Sequence, residues 1–195
     1  MSPRPLLPDR RARLLAAAER LLLARGFDGL SMQRLADEVG IAKGAIYREF
    51  ASKDALLGEV LSQAHARLQR RVTESLGDGL VSLSEAYRAW ATTLLDEPLL
   101  CAAYTDDVGV LGAHVDRIAD GRYRDRHDAL EQWIRALQGE QRLSEDVDAA
   151  GLALALSAAT LGLLTAAKVL GPLDRDEIAG ALEALAVLTR ALETP

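Results

Sequence analysis

The sequence predicts an all-α protein: a three-helix N-terminal head carrying a helix-turn-helix, then a larger helical body. Three observations carry this. Apolar residues recur at three- and four-residue spacing along most of the chain, with no strand-like alternation. The composition is 49% hydrophobic and only 4% aromatic, rich in Ala, Leu, Arg and Glu, which favours helix over strand. Between Ser31 and Lys53, two short amphipathic segments are joined by a tight Gly-bearing turn.

Residues 1–8 hold three prolines and Arg4 and read as a flexible arm. Asp9 is placed to cap a first helix running to about Arg25, with Leu14, Ala18, Leu21 and Leu22 on its core face. Arg10, Arg11 and Arg13 crowd its first turn, where cations oppose the helix dipole. With Arg4 they either reach nucleic-acid phosphate or form a solvated face. Gly26 to Leu30 reads as a turn, with Phe27 plugging the head's core.

Ser31 is the N-cap candidate of the second helix, whose Met32, Leu35, Ala36 and Val39 share one face. Gly40 follows, where a helix end calls for a left-handed residue. The third helix covers roughly Ala42 to Glu49. It is small and polar on one side (Lys43, Gly44, Tyr47, Arg48) and apolar on the other (Ile41, Ala45, Ile46, Phe50). In a helix-turn-helix the second helix of the pair enters the DNA major groove. Ser52 then caps a long helix from Lys53 to about Leu76, with Leu57, Val60, Leu61, Ala64, Leu68 and Val72 along one side. It leaves the head and enters the body without a Pro or Gly break beyond Gly58.

These residues also carry a resemblance. Gly26, Ser31, Leu35-Ala36, Gly40-Ile41, Gly44, Ile46-Tyr47, Phe50, Ser52-Lys53-Asp54 and Leu56 stand in order and at the spacing of the N-terminal DNA-binding domain of the tetracycline-repressor (TetR) family. The likeness runs from Leu14 to Leu57. It implies an operator-binding head, a C-terminal effector-binding and dimerisation domain, and repression as the usual mode of action. The expected division is an arm over 1–8, the DNA-binding domain over 9–53 and the effector-binding and dimerisation domain over 54–195.

Charge fits that division. The net charge of −6 alone would argue against a DNA binder. Residues 1–71 hold 13 Lys and Arg against 8 Asp and Glu, whereas residues 72–195 hold 10 against 21. A basic head precedes an acidic body, as expected when one end neutralises phosphates.

Base readout is assigned to Lys43, Tyr47 and Arg48, with Ala42 and Ala45 facing thymine methyls and Gly44 permitting close backbone approach. Ser31, Arg34, Tyr47 and Lys53 suit phosphate, and Gln33 is a further candidate. The resemblance implies phosphate contacts at Ser31, Tyr47 and Lys53. Two positions depart from the family pattern. A small hydroxyl residue usually stands where this chain has Ala42, a lost cap of about 1 kcal/mol. His is common where this chain has Glu49, whose carboxylate must turn from phosphate or weaken non-specific binding.

In the body, Ser84 is expected to begin a helix through about Leu95 with Tyr87 and Trp90 facing inward. Glu97-Pro98 starts a short apolar segment. Helical spacing runs from about Asp106 to Leu137, broken near Gly121, with Arg122, Arg124 and Arg126 as a solvated face. Ser144 is expected to cap the next helix, with Glu145, Asp146 and Asp148 in its first turn. Asp174 and Glu177 form a capping box on the last helix.

Residues 149–167 carry no charge. A membrane span is disfavoured by the diluted leucines and the missing aromatic and basic flanks. The preferred reading is a helix buried on all sides, in its own chain and against a second copy. Paired with the last helix it would build a four-helix homodimer interface, with Ala155, Ala159 and Gly162 permitting close approach.

A small-molecule effector pocket is expected among His65, Tyr87, Trp90, Tyr104, His114, Trp133, Ser157 and Thr160. The protein is not expected to be an enzyme. No nucleophile–base set, metal-ligand cluster or phosphate loop appears, and no cofactor or metal is expected. Cys101 is the sole cysteine, and no secretory leader is visible, so a cytoplasmic location is expected. The rival reading is an all-helical ligand-binding or adaptor protein with weakened DNA binding, resting on Ala42 and Glu49.

Overall fold

The computed structural model describes residues 10–77, 79, 81–104, 122–171 and 173–194, with backbone alone at 103, 104, 122, 123, 164, 165, 167 and 168. The expectations for the arm, Asp9, the first helical piece after Asp106 and His114 therefore lie outside the described residues, as does the side chain of Tyr104.

Helix α1 (Arg10–Gly29) opens the head. It kinks at Gly26, whose φ of 70° and ψ of 175° interrupt the helix where the sequence placed a turn. Helix α2 (Met32–Val39) is capped by Ser31, whose Oγ accepts from the Arg34 N–H, and ends on Gly40 at φ 74°. Helix α3 (Lys43–Glu49) begins at Ala42 with no side-chain cap, so the suspected weak start is present. Helix α4 (Lys53–Leu76) is capped by Ser52 and runs unbroken for 24 residues. Leu14, Leu22, Phe27, Leu35, Ile46 and Phe50 close the head's core, joined by Leu56, Leu57 and Val60 from the first turns of α4. Removing one such side chain to the β-carbon costs about 2–5 kcal/mol.

The body follows as α5 (Leu83–Leu95), α6 (Pro98–Tyr104), α7 (Arg122–Gly139), α8 (Ala149–Leu170) and α9 (Arg175–Arg190). Helix α9 packs on α5, α5 on α4, and α7 on α8. Two helix starts differ from the expected ones. Helix α5 is capped by Ser82, one half of a capping box with Glu85, rather than by Ser84. Ser84 is buried, and its N–H donates to Glu193 Oε1 at 2.7 Å. Helix α8 is capped by Asp148, not Ser144. The stretch after Ser144 forms turns instead, pinned by a Leu143–Glu193 antiparallel bridge. The capping box of Asp174 and Glu177 on α9 is formed as expected.

One ionic cluster ties head to body. Arg67 of α4 reaches Glu19 of α1 at 2.5 Å and Glu97, between α5 and α6, at 2.6 Å. The Glu97 side chain is 7% exposed, so its charge depends on this partner. The hydrogen bond that Arg67 donates to Glu97, opposed by burial and supported by Glu19, raises the Arg67 pKa further above its ordinary value. Next to Glu97, Asp96 accepts from Arg175 of α9 at 2.8 Å. No helix among the described residues is long and apolar enough to cross a membrane.

Candidate nucleic-acid interface

Most head arginines have structural partners. Arg11 donates from Nη1 to the Glu49 carbonyl at 3.0 Å, stacks on the Phe50 ring at 4.6 Å and lies 3.4 Å from Glu59. Arg13 donates to the Val39 carbonyl at 3.0 Å, satisfying an acceptor at the end of α2. Arg20 pairs with Glu38 at 2.8 Å. Arg34 donates to the Gly29 carbonyl at 2.9 Å. Arg11 and Arg13 thus also stitch the head together, with Arg13 still exposed to solvent.

Helix α3 is different. Lys43, Gly44, Tyr47 and Arg48 are all exposed, Tyr47 at 48%. The Lys43 ammonium lies 5.9 Å from the centroid of the Tyr47 ring, at the limit of a cation–π contact. Arg48 has no hydrogen-bond or ion-pair partner among the described residues. A side chain added at Gly44 would meet nothing of the chain within 4 Å, so the fold places no demand for glycine there. Ala42 is exposed at the start of the helix. Ala45 is 7% exposed and faces the core, which removes its methyl from the face open to thymine.

The flanking candidates are partly committed to the fold. Ser31 Oγ caps α2 at 3.1 Å. Gln33 donates to Asp37 at 2.9 Å, one turn along. Lys53 stands over the Phe27 ring at 3.9 Å and is half-buried. Glu49 is half-buried, its carboxylate 3.7 Å from Arg11. A cation therefore accompanies the charge that departs from the expected histidine.

In the body, α4, α5 and α7 enclose a cavity of about 520 Å³. Helix α4 lends Ser62, His65, Gln69 and Thr73, which recur at helical spacing; α5 lends Trp90 and Leu94. His65 Nδ1 donates to the Leu61 carbonyl at 3.0 Å, which fixes the ring's orientation. Of the expected lining, His65 and Trp90 are in place. Tyr87 and Thr160 are instead a closed core pair: their hydroxyls lie 2.8 Å apart, and Thr160 also donates to the Leu156 carbonyl. Burial, opposed by the Thr160 hydrogen bond, raises the Tyr87 pKa. Ser157 is taken up by His127 Nδ1 at 3.2 Å. Trp133 is half-buried in the packing around α7 and does not line the cavity.

Asp125 and Arg126 complete the lining and were missing from the expected set. The alternating charges around them resemble a solvated face, and Arg124 is indeed exposed. Arg126 is half-buried, its guanidinium 4.0 Å over the centroid of Trp90. The polar spacing along α4 was a usable signal for Ser62, Gln69 and Thr73; nothing local in the sequence marks Arg126.

Together the head and body define a helix-turn-helix protein with an all-helical C-terminal domain. Residues 14–60 match the family of bacterial regulatory proteins described as the tetR family. That match places the family's N-terminal DNA-binding domain over the head, α1 to the start of α4. The chain is 38% identical over 71 residues to the HTH-type transcriptional repressor NemR of Escherichia coli K12, a stretch that is 36% of each chain. The chain thus spans about a third of that curated relative's length. Two solved structures extend the likeness of fold over nearly the whole chain. A TetR-family transcriptional regulator from Pectobacterium atrosepticum superposes with a TM-score of 0.71 at 22% identity, covering 95% of this chain and 94% of that one. A protein solved in connection with control of antibiotic production by bacterial hormones gives 0.69 at 26% identity, covering 96% and 100%.

Proposed function

We propose that this protein is a ligand-responsive transcriptional repressor that binds a palindromic operator as a homodimer in the cytoplasm and leaves it when a small molecule fills the body cavity. The observation that carries the DNA-binding part is the contrast within the head. Arg11, Arg13, Arg20 and Arg34 are tied to carbonyls or carboxylates, whereas Lys43, Tyr47 and Arg48 present an exposed cationic and aromatic face on α3. Lys43 and Arg48 would read base edges and Gly44 would let the backbone approach. Tyr47, Lys53, Ser31, Gln33 and Arg34 would hold phosphates and register, with Ala42 at the thymine-facing edge.

Dimerisation is supported by what α8 and α9 leave uncovered. Leu154 of α8 is 62% exposed and Leu188 of α9 is 65% exposed. Val187 and the small residues Ala155, Gly162 and Ala184 are exposed as well. A second copy of the same helices would cover them in a four-helix interface. It would also set two recognition helices one DNA turn apart, ~34 Å.

The cavity wall supplies a route for release. Helix α4 lines the cavity with residues 62–73, while its first turns are part of the head's core. A ligand that prefers a different pose of α4 shifts head spacing by its differential affinity for the two poses, and by no more than that.

The test is selection of bound fragments from a random DNA pool by the full-length protein, followed by salt-dependent mobility shift. A two-fold motif and an affinity that falls steeply with salt are expected. No retention of any fragment at low salt would favour the ligand-binding adaptor reading instead.

A further inference from the structure

Arg126 is the group in the cavity wall whose chemistry the fold leaves unused. Its guanidinium carbon stands over the Trp90 ring, 4.0 Å from the centroid, and the residue is half-buried. Among the described residues it has no hydrogen-bond acceptor and no ion pair. Stacking uses the face of a guanidinium and leaves its edge, a planar fork of N–H donors, available. Such a fork matches the two oxygens of a carboxylate. The same wall carries Ala66, Leu68, Val72 and Leu94, which cannot pair with a charged or hydrated group.

We propose that the cavity takes an amphipathic carboxylate, its head group bidentate on the edge of Arg126 and its hydrocarbon part against Leu68, Val72 and Leu94. This rests on reading the cavity as the effector site and goes further by fixing the ligand's chemical class. A cationic ligand fits less well, because the Trp90 face that would attract it already holds a guanidinium. A neutral ligand leaves the Arg126 donors without an acceptor once water is displaced. Asp125 also lines the cavity, but it is exposed and makes no ion pair with Arg126, so it leaves the fork open to a ligand. Ser62, Gln69, Thr73 and His65 supply polar contacts from α4, so head-group docking on α7 and contacts on α4 are made by one molecule.

The full-length protein is titrated with octanoate, octanol and octyltrimethylammonium, read by tryptophan fluorescence and calorimetry, for wild type, Arg126→Gln and Arg126→Lys. Octanoate is expected to bind at least tenfold tighter than either of the others. Arg126→Gln is expected to lose that advantage while leaving octanol binding unchanged, and Arg126→Lys to keep only part of it, because the charge remains and the fork is gone. Unchanged melting curves establish that the variants are folded. Equal or tighter binding of octanol or of the ammonium, or octanoate binding indifferent to Arg126→Gln, overturns the carboxylate assignment. Mobility shift of a DNA complex with the same three compounds separates the two readings. Release by octanol alone keeps the effector cavity and discards the carboxylate. Octanoate that binds through Arg126 and releases no DNA keeps the carboxylate site and discards its effector role.

Discussion

The head closes on itself, and the body does not. In α1 to α3 the large apolar side chains converge on one core, and of them only Leu23 and Tyr47 are substantially exposed. In α8 and α9, Leu154, Leu161, Val169, Leu170, Val187 and Leu188 are all exposed. The same hydrophobic driving force acts on both regions. The proposed function accounts for the difference: a surface that is to meet DNA stays wet and cationic, whereas one that is to meet a second copy can leave its leucines bare. Exposed apolar residues in such number on two helices are what the proposed dimer would cover.

The largest expected effect comes from attacking the bare face. Val187→Glu together with Leu188→Glu places buried carboxylates at a self-complementary surface, so sedimentation should report a monomer, and DNA affinity should fall about a hundredfold or more as two-site avidity is lost. A wild-type protein that already sediments as a monomer would remove the premise. Next comes the joint between the regions. Glu97→Ala leaves Arg67 with Glu19 alone and removes a nearly buried carboxylate. Allowing for the partial exposure of Arg67, about 2–3 kcal/mol of stability should be lost in denaturant titration. A loss within 0.5 kcal/mol, the range of ordinary surface changes, would show the cluster to be incidental.

The head's open face predicts effects on binding rather than on folding. Arg48→Ala should cost about 1–3 kcal/mol of operator affinity and relax preference at one base position, with the melting temperature unmoved. Uniform weakening across all sequences would reassign Arg48 to phosphate. The smallest expected effect separates the two demands most cleanly. Gly44→Ala should stabilise the head by about 0.4–1 kcal/mol, since the added methyl meets only open space, and yet weaken DNA binding because it stands where backbone must approach. Equal or tighter DNA binding by the stabilised variant would place Gly44 off the interface.

Local signals and long-range ones were legible to different degrees. Ser31, Gly40, Ser52 and the Asp174–Glu177 box each act within one helical turn, and each was readable from its neighbours. The mistakes at Ser84 and Ser144 are instructive because both have the right residue type. Ser82 wins at α5 because Glu85 lies three residues on and completes the box. Asp148 wins at α8 because the segment after Ser144 is held by the distant Leu143–Glu193 bridge. The acceptors of Arg11 and Arg13 are likewise beyond local reach, 38 and 26 residues away. In the cavity, the polar positions of α4 follow a helical period. Arg126 is assigned by a ring on another helix, which no local pattern announces.

The uncapped start of α3 has a thermodynamic consequence beyond a weaker helix. Every helix start from α2 onward for which a cap is described is closed by a Ser or Asp side chain, except this one at Ala42. A seven-residue helix without that closure is weakest at its N-terminal end, the end that the proposed binding mode sends into the groove. Its first amides should exchange with solvent sooner than those of α2, and DNA should slow that exchange. In the proposed complex, part of the binding free energy would be offset by the entropy lost in ordering Lys43 and Gly44, which trades affinity for a recognition surface that can adjust to its site. Ala42→Ser would settle that order in advance and shift binding towards a smaller entropic penalty.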